Sequence, residues 1–200
     1  MLGDHHMYRK TFPYESSARI PFLVRAPPAW NLPAETICKS PVGLQDVMPT
    51  ILSAAGLPIP PGCTGRDLMP VVRGEADGVR DVLHGEHAGC YADEDGMHFL
   101  VDEDQMKYIW YSTTGVERLF DLAADPTEQR DLAFDARSRP SELEEMLAPW
   151  RARLAQILDG RPEGWAEAAA AGAGAGVLRT AEHKTMLPGY DPALPFAEFL

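Results

Sequence analysis

The sequence lacks a long apolar run and is poor in positive charge. No apolar stretch approaches the roughly 20 residues that a membrane-spanning helix needs, and the opening, MLGDHHMYRKTF, contains no apolar segment typical of a secretory signal. Eighteen Lys+Arg stand against 30 Asp+Glu, giving a net charge of −12. Nucleic acids and anionic membranes attract cations. We therefore expect a cytoplasmic globular protein with neither of these partners.

Signatures of common catalytic and redox sites are also missing. The three cysteines, Cys38, Cys63 and Cys90, are widely spaced and form no C-x-x-C pair, which excludes a zinc ribbon or a redox dithiol. The sequence has no G-x-S-x-G nucleophile elbow and no glycine-rich phosphate loop. We expect idle thiols in a reducing compartment.

The first part of the chain has the pattern of an α/β layer. The apolar run Ile20–Val24 predicts a buried strand, compatible with a central place in a parallel sheet. A helix is predicted from Leu44 to Ala55, with Asp46 as N-cap and Gly56 as C-cap. Its expected apolar stripe comprises Val47, Ile51, Leu52 and Ala55. A short helical turn is predicted around Leu68–Arg73.

The second part of the chain changes to short strands followed by a helix. The strands predict an antiparallel meander and cover Val82–Glu86, His98–Val101, Met106–Tyr111 and Arg118–Leu122. The helix is predicted over Ser141–Leu158, with Ser141 and Glu144 as a capping box and with Pro149 producing a kink or two abutting helices. The Ala/Gly-rich residues 166–176 predict a linker.

Polar residues concentrate in two places. Residues 1–25 are locally basic and include a Gly3–Lys10 loop, in which a lysine could contact an oxyanion and a histidine could donate a proton. Adjacent side chains rarely converge on one ion, so we predict no metal site there. The second place is the strand with His84, Glu86 and His87. Strand alternation places His84 and Glu86 on one face and His87 on the other, and we expect a packing or surface role.

Four segments in chain order resemble the sulfatases of the alkaline phosphatase superfamily. Residues 1–27, M-L-G-D-H-x-x-Y-R-K-x-x-x-Y-E-x-S-x-R-I-P-F-L-V-R-x-P, are similar to the stretch that follows the metal-binding S-D-H/N-G segment of that family. The other segments begin at Val42, Gly65 and Lys107, and the last contains L-F-D-L-A-A-D-P-T-E. The resemblance covers residues 1–158. It implies an α/β fold: the C-terminal part of an alkaline-phosphatase-like α/β sandwich plus a small antiparallel sheet with a packed C-terminal helix.

The implied domains are the end of the catalytic α/β domain (1–78), a sheet-and-helix subdomain (79–160) and a linker and tail (161–200). The implied activity is hydrolysis of sulfate monoesters by a formylglycine, made from C/S-x-P-x-R, with a divalent cation, usually calcium. By resemblance Lys10 contacts the sulfate and His5 contacts the substrate or orients the site. Glu15 and Arg19 are expected to form an ion pair that supports the loop.

The departure from the family is the absence of the nucleophile segment. The surroundings of Cys38 and Cys63 do not match C-x-P-x-R. We therefore expect the rear part of a longer enzyme, with no catalytic nucleophile, no metal ligand and no activity of its own. Alternatives are a phosphodiesterase or phosphonate monoester hydrolase of the same superfamily, a non-catalytic binding module, and a subunit of a split enzyme. An orphaned Ile20–Val24 edge would be exposed and would favour self-association.

Overall fold

A computed structural model describes residues 1–8, 10, 12–32, 37–87, 96–161 and 164–172. The helices are α1 (Glu15–Ala18), α2 (Val47–Ala54), α3 (Met69–Val72), α4 (Leu132–Ala136), α5 (Pro140–Leu158) and α6 (Ala166–Ala171). The strands are β1 (Val82–His87), β2 (Met97–Asp102), β3 (Met106–Tyr111) and β4 (Glu117–Asp121). Short 3₁₀ turns cover Asp4–His6, Pro28–Trp30 and Leu44–Asp46. No helix in these ranges is long and apolar enough to cross a membrane.

The four strands form one antiparallel sheet in the order β1-β2-β3-β4, which confirms the predicted meander. Strand alternation gives the sheet two covered faces. On the helix face, Leu100, Tyr108 and Trp110 pack with buried side chains of α5 and α6. On the opposite face, Ile109 and Phe120 pack with the N-terminal segment. The sheet is therefore the layer to which both ends of the described chain attach.

Helix α5 is held to the sheet by a buried arginine as well as by apolar packing. Arg151 donates two hydrogen bonds of 2.8 Å to the carboxylate of Glu117 on β4, and Tyr108 donates to the same carboxylate at 2.7 Å. Arg151 also pairs with Glu144, two turns before it on the same helix, at 2.5 Å. Hydrogen bonds to these carboxylates raise the pKa of Arg151, so the guanidinium stays charged.

The start of α5 differs from the prediction. The helix begins at Pro140, with Arg139 in the N-cap position, so Ser141 lies inside the first turn and the predicted capping box is wrong. Proline is favoured in the first turn because its missing N–H has no partner there in any case. Pro149 lies within one continuous helix, so two abutting helices do not form.

The prediction of a linker is wrong for the first residues of the Ala/Gly-rich stretch. Ala166–Ala171 form α6, and Ala168 and Ala169 are buried in the core that α5 shares with the sheet. Alanine has the highest helix propensity, and its small side chain allows close packing of α6 on α5. Residues 173–176 lie outside the described residues, as does the rest of the tail. The domain boundaries stay predictions.

The buried strand predicted at Ile20–Val24 is also wrong. These residues form no strand, and Leu23 is 92% exposed. Ile20 and Val24 are also exposed. An apolar run becomes a buried strand only when neighbouring strands pair with it and other layers cover it. In the described residues no strand lies beside this segment.

The predicted helix from Leu44 to Ala55 exists as a 3₁₀ turn followed by α2, and Gly56 ends it with a φ of 68°. Its predicted apolar stripe does not form its buried face: Ile51 is exposed, whereas Pro49 and Thr50 are buried. The Thr50 hydroxyl donates to the carbonyl of Asp46 and accepts the amide of Leu68, which joins α2 to α3. The predicted turn at Leu68–Arg73 is confirmed as α3.

Asp46 connects the first part of the chain to the beginning of β1. Its carboxylate is fully buried and accepts two hydrogen bonds from Arg80, at 2.6 and 2.5 Å. It also accepts the amides of Arg66 and Gly43. Burial raises the pKa of Asp46, but the bonds from Arg80 and the two amides outweigh burial and hold the pKa below its usual range.

Candidate functional site

The N-terminal segment folds back on itself to form a closed loop. Leu2 and Tyr8 form an antiparallel bridge, and the amide of Gly3 donates to the carbonyl of Met7 at 3.0 Å. We call residues Leu2–Tyr8 the N-terminal loop. The tip of the loop is the turn Asp4–His6, so both histidines of the G-D-H-H sequence lie at its end.

His5 and His6 adopt left-handed backbone conformations, with φ values of 52° and 60°. Non-glycine residues in this region are uncommon and cost on the order of 1–3 kcal/mol each, so surrounding contacts must hold them. His5 is held by its ring: Nε2 lies 3.1 Å from the carbonyl oxygen of Thr127, and the ring stacks on Tyr14 at 4.1 Å. A carbonyl only accepts hydrogen bonds, so Nε2 carries the proton and Nδ1 is left for another partner.

Lys10 follows the loop and is exposed to solvent. Its neighbours, residues 9 and 11, lie outside the described residues. No hydrogen bond joins the side chains of Lys10 and His5, both of which the structure describes. The two predicted substrate-contacting residues therefore lie in one short segment with no hydrogen bond between their side chains.

Glu15, at the start of α1, binds a buried lysine. Glu15 Oε1 lies 3.0 Å from Lys107 Nζ on β3, and the Lys107 side chain is completely buried. Glu128 completes the cluster: its Oε1 lies 3.0 Å from the same Nζ, and its Oε2 accepts the backbone amide of Glu15 at 2.6 Å. Burial raises the pKa of Glu128, and the nearby Lys107 ammonium offsets only part of this rise. The charged cluster fastens the N-terminal segment to the sheet.

The cluster of Glu15, Lys107 and Glu128 brings together two of the motifs identified in the sequence. Glu15 belongs to the Y-E segment, and Glu128 is the last residue of D-P-T-E, 113 positions later in the chain. The same D-P-T-E turn supplies the Thr127 carbonyl that binds His5. The turn after β4 therefore contacts the N-terminal segment at two points, His5 in the loop and Glu15 in α1.

Arg19 is a weaker partner of Glu15 than Lys107 is. Its Nε lies 3.9 Å from Glu15 Oε2, and the arginine side chain is 73% exposed. Exposed pairs of this kind contribute little to stability. Lys107 was not predicted from the sequence. Its place within the apolar run M-K-Y-I-W-Y nevertheless indicates a buried ion pair, because a buried charge requires a partner.

A second cluster lies on the helix face of the sheet. Register places Glu86 directly opposite His98, and His84 is two residues before Glu86 on the same face. His84 Nε2 lies 3.1 Å from His98 Nδ1, and that nitrogen lies 3.5 Å from Glu86 Oε2. Burial lowers the pKa of His84. The predicted shared face of His84 and Glu86 is confirmed, whereas His98 was missed because sequence alone does not give strand register.

A large apolar groove lies on the first part of the chain. It has a volume of about 700 Å³. The residues that line it come from the segment between α1 and α2 and from the region between α2 and β1, and they include Phe22, Leu23, Val24, Val42, Val71 and Val79. The predicted Ile20–Val24 edge therefore borders an open apolar surface.

Comparisons with known proteins agree on one family. A family model described as "N-sulphoglucosamine sulphohydrolase, C-terminal" matches residues 3–155. The chain belongs to the sulfatase family, as a C-terminal portion. It is 35% identical over 170 residues to an arylsulfatase of Clostridium perfringens, covering 84% of this chain and 33% of that protein. It is 33% identical over 144 residues to arylsulfatase K of Rattus norvegicus, covering 68% of this chain and 25% of the relative.

The fold agrees with that of a solved structure. The structure of BT4656, in complex with its substrate D-glucosamine-2-N,6-O-disulfate, matches with a TM-score of 0.57 and 24% identity, over 81% of this chain and 33% of that chain. The present chain therefore spans about a quarter to a third of the length of the proteins it matches. The expected fold class, the C-terminal part of an α/β sulfatase with a small antiparallel sheet, is confirmed.

Proposed function

We propose that this chain is the C-terminal part of an enzyme that hydrolyses sulfate monoesters, with Lys10 contacting the sulfate group and His5 contacting or orienting the substrate. The observation that carries the proposal is the family match over residues 3–155, which includes both side chains. Two contacts with the turn after β4 support it: His5 of the N-terminal loop binds the Thr127 carbonyl, and the amide of Glu15 binds Glu128.

The two side chains have different chemical tasks in this proposal. The Lys10 ammonium is a compact positive charge that stabilises negative charge as it develops on the transferred sulfuryl group and its leaving oxygen. His5 is fixed by the Nε2 contact with Thr127 and by stacking on Tyr14, so in this proposal Nδ1 is the ring nitrogen that contacts the substrate. Neither residue is a nucleophile, and the attacking group has to come from elsewhere in the enzyme.

The calcium expected for the family does not fit the donor groups of this chain. Calcium takes about six to eight oxygen ligands. In the ranges that the structure describes, three or more metal-ligating side chains converge only at His84, Glu86 and His98, and two of these are imidazoles. We propose that the nucleophile and the calcium ligands belong to the part of the enzyme that this chain does not span, and that the chain alone is inactive.

The exposed apolar surface supports the proposal that the nucleophile and the calcium ligands belong to another part of the enzyme. Leu23 and Ile51 are largely exposed, and the groove beside Leu23 has a volume of about 700 Å³. Large exposed apolar surfaces are uncommon on monomeric proteins. The relatives have roughly three to four times the matched length, and we propose that their additional α/β layers are what covers this surface in a complete sulfatase.

The substrate class follows from the relatives only as far as the sulfate group. Relatives are named arylsulfatases, and the BT4656 structure contains a sulfated glucosamine. We propose a sulfated small molecule as the partner of the complete enzyme. The organic part is tested by offering both an aryl sulfate and a 6-O-sulfated glucosamine.

A chimera tests the proposed function. The C-terminal third of the Clostridium perfringens arylsulfatase is replaced by this chain, and hydrolysis of both sulfate esters is measured beside the intact relative and the isolated chain. We expect turnover by the chimera and none by the isolated chain. A phosphate diester serves as a third substrate. A folded chimera that cleaves only the diester would show that the phosphodiesterase alternative is correct, and turnover by the isolated chain would overturn the proposal that the chain alone is inactive.

A further inference from the structure

The cluster of His84, Glu86 and His98 lies outside the site described above. It sits on the helix face of the sheet, whereas the N-terminal loop packs on the opposite face. The ligating atoms of the three side chains all lie within 4.8 Å of one another. No metal ligand is predicted in this chain from its sequence. The activity proposed above does not use these three residues.

We propose that His84, Glu86 and His98 bind a zinc ion through two imidazole nitrogens and one carboxylate oxygen. A tetrahedral zinc site with Zn–N and Zn–O bonds of about 2.0–2.2 Å separates its ligand atoms by about 3.3–3.6 Å. The separations of 3.1 Å between the imidazoles and 3.5 Å between His98 and Glu86 are close to this range, and the ligand atoms of His84 and Glu86 lie within 4.8 Å of each other. Two nitrogens and one oxygen suit zinc better than the all-oxygen cations calcium and magnesium.

The surroundings hold the ligands in place before any ion binds. His98 is buried, its ring lies 5.8 Å from that of Trp110 in a stacked arrangement, and it meets Trp165 edge-on at 4.9 Å. Glu86 and His98 are fixed opposite each other by the β1–β2 pairing. Ligands held by packing and backbone register lose little freedom on binding. Glu86 is 46% exposed, so a zinc ion can reach the cluster from solvent and can keep a water as fourth ligand.

Arg161 neutralises Glu86 in the absence of an ion. Its guanidinium makes two hydrogen bonds to the carboxylate, at 2.6 and 3.2 Å. A zinc ion placed against Glu86 is repelled by this positive charge and competes with it for the same oxygens. The arginine therefore lowers the affinity for zinc, and its removal should raise it. A purely structural hydrogen-bond network makes no such prediction.

Calorimetric titration of the metal-free full chain with zinc tests the proposal. We expect one ion per chain, at least tenfold weaker binding in Glu86→Gln and in His84→Asn, and tighter binding in Arg161→Gln. His87→Gln, on the other face of the same strand, and His6→Gln, at the loop tip, are matched controls that should bind as the parent does.

Circular dichroism establishes that each variant is folded, and thermal unfolding with and without zinc provides a second readout. Zinc should raise the unfolding temperature of the parent and of both controls, and should raise that of Glu86→Gln much less. Absence of zinc binding by the folded parent overturns the proposal. So does binding that survives in Glu86→Gln and His84→Asn but is lost in His6→Gln, since that result would place the ion at the N-terminal loop.

Discussion

Lys107 Nζ lies 3.0 Å from Glu128 Oε1 in a site from which solvent is excluded. The pair joins the middle of the sheet to the turn after β4. Through Glu15, which binds the same ammonium, it also joins the beginning of the chain to both. A lysine on one strand thereby connects two sequence motifs and positions the loop that carries His5.

Replacing Lys107 with methionine should destabilise the protein strongly. The change leaves the Glu15 and Glu128 carboxylates close together without a counter-charge, and breaking a buried ion pair in this way costs about 3–5 kcal/mol. Urea unfolding followed by tryptophan fluorescence measures the loss. Lys39→Met, at an exposed lysine, is the matched control and should change the free energy of unfolding by less than about 0.5 kcal/mol. Equal effects of the two substitutions would contradict the role assigned to the cluster.

Stability should fall in acid through Asp46. The folded-state pKa of this carboxyl lies below the unfolded value near 3.8, so its stabilising contribution is complete above the unfolded pKa and is lost as the pH falls through the folded pKa. The difference in unfolding free energy between the parent and Asp46→Asn should therefore shrink below about pH 4. Urea unfolding at a series of pH values measures this difference. A difference that stays constant down to pH 2.5 would show that the Arg80 pair does not carry the pH dependence.

His5→Gly and His5→Ala should differ in stability although both remove the same ring. Each variant loses the bond to Thr127 and the stacking on Tyr14. The left-handed backbone at position 5 is unfavourable for alanine, whereas glycine adopts it without a steric penalty. The glycine variant should be the more stable by about 1 kcal/mol. Thermal and urea unfolding of the pair measure the difference, and a more stable alanine variant would show that the backbone at position 5 is not strained.

Self-association should depend on the exposed apolar surface. Leu23 and Ile51 contribute little to the core because both are largely exposed. The double substitution Leu23→Glu and Ile51→Lys should therefore leave the free energy of unfolding within about 0.5 kcal/mol per site of the parent and should shift the parent's oligomers toward monomer. Sedimentation velocity measures the distribution. A parent chain that is monomeric at high concentration would remove the basis for self-association.

The elements that were predicted from the sequence are those whose signals are local. The four strands are short runs separated by glycine and acidic turns, and the apolar residues of α5 follow a helical period, so both were found. Ile20–Val24 was wrong because its apolar character reflects layers that the described chain does not supply. The apolar residues of α2 mislead for the same reason: Ile51 is apolar and exposed, while Thr50 is polar and buried.

In the candidate site, too, residues close together in the sequence were predicted, and residues whose partners are distant in the sequence were not. The resemblance placed His5, Lys10 and Glu15 in one segment. The structure shows His5 in a closed loop and Glu15 in α1 with its carboxylate on Lys107, and the substrate contacts of His5 and Lys10 stay a prediction. Lys107 and His98 were missed because their partners are distant in the chain. Only strand register and the packing of the loop on the sheet bring such groups together.

The role of Lys10 is the part of the account most directly open to measurement. In the chimera with the Clostridium perfringens arylsulfatase, kcat/KM for an aryl sulfate is compared between Lys10→Ala and Lys39→Ala. We expect kcat/KM to fall by about 10²-fold or more in Lys10→Ala, as is typical when a group that stabilises transition-state charge is removed. Lys39→Ala should leave kcat/KM unchanged. Equal activity of the two variants in a folded, active chimera would contradict it.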